Sequence, residues 1–600
     1  MPVSRPFRLT AALCLSLCAT GAAALDTLKF NIASEDDDLR DALRSASLVR
    51  LARDEERTGS EDIIAAALAD YRRLLSVLYQ NGRYSGVVKI SIDGREAASI
   101  NLLRLPERIA RVEISVTPGP RFRLGRAEIA PLAPGDSLPP EFRTGETARS
   151  TVIQDAVQSG IDGWRQEGHA KAAVAAQKLT ANHADRRVDA QITLDPGPQL
   201  RFGTLQIDSS SKVPENRLRK IAGLPSGEVY DPDEVTLAAK RLRRTGTFSS
   251  VTLTEAEAAN PDGTLDFGLE VADSKPRRFG FGAEIASLEG LTLSAFWMHR
   301  NITNRADRLR IDGEIAQIGG QSGGYEGGVD YSIGLRFDRP AVYGPDTGGF
   351  AYIRLEREDE PTYLQDSFEI GIGATRYISD ELEAELAVAY TYSEETDDYG
   401  TDTFSYISLP GSLTWDTRDT LLDATEGQYV ELTATPFAGF KGTGSGGQIT
   451  ADARVYRRTS DRLVLAGRLQ FGSLIGPDIE DTPADFLFYS GGGGTVRGQP
   501  YQSLFVTQDT GEETGGRSFL GLSAEVRAEV TEAIGLVAFA DAGYIGEESF
   551  IDGSGEWHAG AGLGLRYNTG IGPIRLDVAA PVSGDTGDGV QIYVGIGQAF

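Results

Sequence analysis

The sequence predicts three tandem α+β units followed by an all-β, antiparallel transmembrane barrel of sixteen strands. Three observations carry that reading. A proline- and glycine-bearing motif recurs roughly every 78 residues in the first half of the chain. Near residue 275 helical periodicity gives way to strict alternation. Finally, a 600-residue chain that is 40% hydrophobic contains no run long enough for a transmembrane helix, the pattern that a membrane-spanning barrel leaves.

The chain opens on a predicted secretory signal, residues 1–24. Arg5 and Arg8 form its charged end, LTAALCLSLCATG its apolar middle and Ala22-Ala23-Ala24 a small-residue cleavage site. Both cysteines, Cys14 and Cys18, lie inside it, so cleavage near Ala24 leaves a mature chain without thiols. Leu13 and Leu17 precede them where lipoprotein acylation wants a small residue, so acylation is not expected. A net charge of −28 argues against nucleic acid and against a polybasic membrane contact.

The repeats are expected at 25–118, 119–198 and 199–274. Their joints are TPGPRFRLG (117–125), DPGPQLRFG (195–203) and DSKPRRFGFG (273–282). Each unit reads strand, helix, helix, strand, strand. In the first, Ile64, Ala67, Leu68, Tyr71, Leu74, Leu75 and Leu78 line one helical face. Val152, Ile153, Ala156, Val157 and Trp164 do so in the second. In the third, Asp231-Pro232-Asp233-Glu234 supplies an N-cap, a first-turn proline and a capping-box acid, and Gly246 stops the helix.

The barrel is expected over 275–600. In EWHAGAGLGLRYN, Trp557, Ala559, Ala561, Leu563, Leu565 and Tyr567 share one face, and His558, Gly560, Gly562, Gly564, Arg566 and Asn568 the other. In FLGLSAEVRAEV, Leu520, Leu522, Ala524, Val526, Ala528 and Val530 alternate with Ser523, Glu525, Arg527 and Glu529. A charged yet small polar face suits a crowded lumen. About 325 residues, at roughly 20 per strand with its loop, give about sixteen strands.

The stretch FLFYSGGGGTVRGQPYQSL (486–504) stands apart. Gly491, Gly492, Gly493 and Gly494 lead into Val496-Arg497-Gly498, with aromatic residues on both sides. Alone it also fits a solvated surface loop. Held inside a protein, however, Arg497 needs a carboxylate, because a guanidinium does not lose its charge. One candidate is Asp541 in VAFADAGYIG, which shares a face with Val537, Phe539 and Gly543. A further charged stretch, LTWDTRDTLLDATEGQYVEL (413–432), places Asp416, Arg418 and Asp419 ahead of a turn.

Taken together, these stretches resemble the superfamily of outer-membrane insertases and transporters that includes BamA, TamA and the two-partner secretion transporters. The resemblance implies periplasmic POTRA repeats before a 16-stranded barrel, and a sixth extracellular loop folded into the lumen. That loop carries a V-R-G-F/Y motif, here Val496-Arg497-Gly498-Gln499, with Tyr501 expected in the missing aromatic's place. Its Arg pairs with the Asp of F-x-D-x-G, which Phe539-Ala540-Asp541-Ala542-Gly543 matches, so an Arg497–Asp541 lumenal latch is implied. The carboxyl end resembles the superfamily's assembly signal through Tyr593, Gly595 and Phe600, with Gln598 where an apolar residue is usual.

Three repeats, where BamA-like proteins carry five and two-partner transporters two, resemble the TamA family. That implies an inner-membrane-anchored TamB-like partner, nascent outer-membrane proteins such as autotransporters as substrates, and a Gram-negative outer membrane as the location. A lateral seam is expected between a first strand near 278–286 and a last strand over 590–600. Gly280 and Gly282 on one side of it, and Gly595 and Gly597 on the other, weaken pairing and favour bending; alternatively they only relieve crowding. A two-partner transporter and a passive porin remain the rival readings. No enzyme, metal or cofactor is expected. His169, His183, His299 and His558 are scattered, the mature chain lacks cysteine, and the glycine run lacks the Lys-Ser/Thr of a phosphate loop.

Overall fold

The computed structural model describes residues 25–600 apart from 58, 103, 288–289, 321–327, 361, 398–399, 509–510, 571, 585–586 and 588. The expected signal, 1–24, lies outside the described residues. Two compact units divide the chain, one from the first two repeats with 227–232 and 259–264, the other from most of the third repeat and everything after it.

In the first repeat strand Leu25–Ile32 runs parallel to Ile109–Thr117, which pairs antiparallel with Val87–Ile92. Helix Ser60–Gln80 lies on this sheet because Ile64, Ala67, Leu74 and Leu78 bury along one stripe, with Leu68, Tyr71 and Leu75 at its margin. Two shorter helices, Asp37–Ala46 and Leu48–Asp54, precede it, one more than expected. Their junction is held from the long helix. Buried Asp70 accepts from the Ser47 hydroxyl (2.7 Å) and the Leu48 N–H (2.7 Å), two donors at the start of the second short helix.

The second repeat departs the other way, with one α-helix, Ser150–Gln166, where two were expected. Pro131, Pro134, Pro139 and Pro140 crowd the segment between strand Arg123–Ala130 and that helix, and proline removes the amide a helix needs. The third repeat follows the expected order: Arg201–Ile207, Glu215–Ala222, Pro232–Arg244, Phe248–Glu255 and Thr264–Asp273. In its sheet, as in the second repeat's, the last strand lies in the middle.

A closed antiparallel barrel runs from Arg277–Ala286 to Gln591–Ile596. Seventeen stretches make the wall, and two of them, Thr401–Ser408 and Gly411–Asp416, share the same neighbours, Leu382–Thr396 and Gly427–Phe440. They are one strand interrupted beside Pro410, which has no N–H to give the ladder, so the wall has sixteen strands. Along Glu556–Thr569 the alternation holds. Trp557, Leu563, Leu565 and Tyr567 are exposed outward, while His558 and Arg566 are buried inward. The stretch around Asp416 is a turn: Arg418 pairs with Asp416 (2.7 Å) and Asp419 accepts from the Thr425 hydroxyl (2.6 Å).

The third repeat meets the near turns of the barrel through arginines. Arg241 donates to both oxygens of Asp346 (2.9 and 2.6 Å), and Arg244 adds a third bond (3.1 Å). This contact marks the end of the barrel that meets the third repeat.

The outward face predicts a depth-dependent penalty. Leu563, 69% exposed near the middle of its strand, should tolerate Leu563→Arg poorly, at a cost of about 2–4 kcal/mol. Urea titration of folding into lipid vesicles measures it. Arg566→Lys on the inward face of the same strand should not show that dependence on bilayer thickness.

Candidate functional site

The loop between strands Leu463–Ile475 and Ser518–Glu529 folds back into the lumen. Aromatic side chains seat its first part. Phe486 stacks on Phe437 with centroids 4.3 Å apart and meets Tyr406 edge-on, and Phe488 stacks on Phe519. The glycine run then makes a tight reversal. Gly491 has φ +117°, and a Cβ there would lie 2.0 Å from the Pro500 carbonyl oxygen. Ser490 sits 2.8 Å from His558 Nε2, and Val496 is fully buried.

The reversal aims Arg497 at the wall. Its Nε and Nη2 donate to Asp541 Oδ2 (2.7 Å) and Oδ1 (3.0 Å), the bidentate fork that favours arginine over lysine. Its own backbone N–H also reaches Asp541 Oδ2 (3.2 Å). Nη1 donates to Glu525 (2.7 Å) and Asp577 (3.3 Å), and the guanidinium lies 3.6 Å over the Phe539 ring. Arg527 in turn pairs with Glu525 (2.8 Å) and Arg566 with Asp577. Three arginines therefore meet three carboxylates, all of them buried. These ion pairs hold the Arg497 guanidinium above its ordinary range against burial, the largest single influence and one that acts the other way.

Gly498 and Gly560 make the approach possible. Gly498 has φ +95° with the Ala580 backbone 2.7 Å from its missing Cβ, and at Gly560 a Cβ would stand 2.0 Å from the Arg497 carbonyl oxygen. The Gly498 N–H donates to the Tyr593 hydroxyl (3.1 Å), and its carbonyl accepts from Gln591 (3.2 Å). Gln499 occupies the fourth motif position itself, donating to the carbonyls of Ala559 (2.8 Å) and Ser583 (3.0 Å). Tyr501 does not take its place. It reaches the other way, donating to Glu360 (3.0 Å).

The seam differs from expectation. The last strand ends at Ile596 rather than Phe600, because Gly597 (φ +96°) turns the chain inward. Gln598 then accepts from Arg566 (2.7 Å) and donates to Asp423 (2.9 Å), which accounts for a polar residue at that position. Phe600 packs near Tyr456. Gly280 and Gly282 have no strand partner on the seam side among the described residues. They pair with Phe296 and Ser294 on the second strand, and at Gly280 a Cβ would fall 2.1 Å from the Phe296 ring. Those two glycines relieve crowding. Gly595 does lie at the seam, and over it Arg575 passes from the neighbouring strand to Glu284 of the first. Tyr593, expected as part of a terminal signal, points inward to the latch.

Alternation puts Glu525 on the lumenal face without tying it to Arg497, and Asp577, Gln591 and Arg575 belong to no motif of the latch. The signal was present: Asp577 and Arg575 alternate with Ile574, Leu576 and Val578 in GPIRLDVAAPV, so parity alone puts them in the lumen.

A sixteen-stranded barrel with a lumenal loop and α+β repeats ahead of it defines an outer-membrane barrel bearing periplasmic POTRA domains. Residues 301–600 match the Omp85 superfamily domain, and 200–271 match the POTRA model described as a surface antigen variable number repeat. The chain belongs to the Omp85 superfamily. Its fold is similar to BamA from Haemophilus ducreyi lacking POTRA domains 1–3, at 16% identity and TM-score 0.60, covering 79% of this chain and 100% of that one. CdiB from Acinetobacter baumannii (13% identity, TM-score 0.49) covers 80% of this chain and 90% of its own. CdiB from Escherichia coli (14%, 0.47) covers 80% and 91%.

Removing the latch cation leaves buried carboxylates without their partner. Arg497→Ala should cost roughly 3–5 kcal/mol, read as a lowered temperature of heat-induced gel-mobility change. Arg497→Lys should recover only part of it, since lysine cannot form the fork. A second expectation concerns pH. Burial, then repulsion from Asp330, pushes the Glu360 carboxyl up to about 7. Its folded pKa is raised, so its contribution is fully present below the unfolded value near 4.5 and is lost as pH rises through about 7. Amide exchange around Tyr501 should therefore speed up between pH 5 and 8, and Glu360→Gln should flatten that rise.

Proposed function

We propose that the protein inserts or translocates substrate proteins at the outer membrane through the seam between its first and last strands. The carrying observation is how little closes that seam. Among the described residues only Ile285↔Val594 and Ala286↔Tyr593 pair across it, whereas six pairs join the last strand to its other neighbour. Ser287 adds two hydrogen bonds to Ile592. On that side Arg277–Glu284 has no strand partner among the described residues. An unpaired edge accepts an incoming strand by main-chain hydrogen bonds that read shape rather than sequence.

The three-repeat arrangement supports a TamA-like role, with autotransporter-type substrates and a TamB-like partner from the inner membrane of a Gram-negative cell. The protein acts by binding and templating, without covalent chemistry of its own. The latch weighs against a passive porin, since the loop occupies part of the lumen. A two-partner transporter stays the alternative; it would move one dedicated exoprotein through the pore.

Ile285→Cys with Val594→Cys locks the seam, and the rest of the mature chain offers no competing thiol. Substrate assembly in cells should fall at least about tenfold when the disulfide is closed and return on reduction. Full assembly with the seam locked would remove the gating mechanism.

A further inference from the structure

We propose that the outer face of the barrel carries a seat for one anionic phospholipid of the periplasmic leaflet, with an acyl chain in a recess of the wall and the phosphate against the cations at its end. The seat does not rest on the proposed function.

The recess follows from side-chain size. Strand Thr347–Asp359 lies between Asp330–Arg339 and Leu364–Tyr377, and Leu382–Thr396 comes next. Two cross-strand rows face outward here. One reads Phe337, Ala351, Ile372, Val388, and the other Arg339, Gly349, Ala374, Leu386. Ile372, Leu386 and Val388 are exposed while Phe350, between the rows, is buried, which fixes the parity. Gly349, Ala351 and Ala374 thus make a low floor among bulky neighbours, and Val342 and Tyr343 close its repeat-side end. The space holds about 490 Å³, and Arg339 is its one charged lining residue. In a bilayer such a hollow takes up hydrocarbon, because an empty one forfeits dispersion contacts.

Charge at the end of the recess makes it a site and not bare lipid contact. Arg217 and Lys220, from helix Glu215–Ala222 of the third repeat, meet Arg305 and Arg339 around two turns of the barrel. Arg217 donates to the carbonyls of Arg305 (3.0 Å) and Ala341 (3.1 Å), and Lys220 to that of Val342 (3.1 Å). Among the described residues only Arg339 of these four has a carboxylate, Asp307 at 3.3 Å. The latch is balanced, three cations to three anions; this group is not. Burial, then Arg339 and Arg305, hold the Arg217 guanidinium below its ordinary range, and Asp307 does not offset them. The excess is local, since the chain as a whole carries −28.

The two features are continuous, because Arg339 belongs to both. A hollow open to hydrocarbon that ends in unbalanced cations fits an amphiphile with an apolar tail and a phosphate head. Its depth is set by the third repeat, which marks the periplasmic end, and Tyr343, 80% exposed, suits the headgroup boundary. Arg305 and Lys220 are exposed and free to meet the phosphate.

The test places the full chain in nanodiscs of equal phosphatidylcholine and phosphatidylglycerol and counts, by native mass spectrometry, the lipids that stay bound. The parent should retain phosphatidylglycerol over phosphatidylcholine. Lys220→Ala/Arg305→Ala removes two exposed cations, and Ala351→Phe fills the floor with a side chain the lipid face tolerates. Both variants should unfold like the parent in phosphatidylcholine alone, and each should retain phosphatidylglycerol about tenfold less. Equal retention of the two lipids by the parent overturns the proposal. So does a preference that survives Ala351→Phe, since the anion would then bind without the recess, or one that survives the double variant.

Discussion

The rest of the barrel depends on one guanidinium that cannot be neutral and is not in water. Arg497 is 3% exposed inside the lumen, and the wall around it is arranged to satisfy it. Asp541 accepts the fork, Glu525 and Asp577 accept from the remaining nitrogen, and Phe539 offers a face. Adding two more carboxylates would over-neutralise one cation, and Arg527 and Arg566 restore the balance. The network thus needs residues from four wall strands and the loop at once. Its worth lies less in net stability, since buried ion pairs often break even against apolar packing, than in register. Only one depth of the loop brings all the pairs into contact.

That register explains the glycines at the site. Gly498 and Gly560 are where loop backbone and wall backbone touch, and a methyl group at either would push them apart by more than a hydrogen bond tolerates. Val496 fills the space next to Gly543 and Ser490. The motif is therefore a packing requirement with a charge at its centre. Its fourth position is open to a residue that can satisfy two wall carbonyls, as Gln499 does.

The sequence shows the barrel more clearly than it shows the site. Alternation in EWHAGAGLGLRYN and FLGLSAEVRAEV sorts lipid face from lumen correctly, because a strand has only two faces and the membrane assigns one. The repeats are legible where helices are amphipathic, as in Ser60–Gln80, and less so at 131–149, where prolines replace a helix without changing the unit's length. Arg497 and Asp541 can be matched by motif, but Glu525 and Asp577 cannot. A lumenal carboxylate on a strand looks the same in sequence whether it faces water or a guanidinium. The role of the seam glycines is hard to read in sequence for a similar reason. Glycines mark thin places in a wall, but which neighbour uses the space depends on register, and Gly280 gives its space to Phe296 on the other side.

Loop and seam share a residue, and this joins the two halves of the mechanism. Tyr593 forms one of the two pairs that close the seam among the described residues, while its hydroxyl accepts the Gly498 N–H beside the latch. Two residues along, Arg575 reaches over Gly595 to Glu284, tying the first strand to the strand behind the last. Net backbone hydrogen bonds contribute about 0.5–1.5 kcal/mol each, so a seam of two residue pairs is held by only a few kcal/mol. A partly exposed pair such as Arg575–Glu284 adds little more. Stranding one partner of the latch costs at least as much as either. Parting the seam at Tyr593 must therefore disturb the Gly498 anchor, and a loop pulled from its seat must loosen the last strand. The fold places its strongest buried interaction one side chain away from its weakest strand pairing.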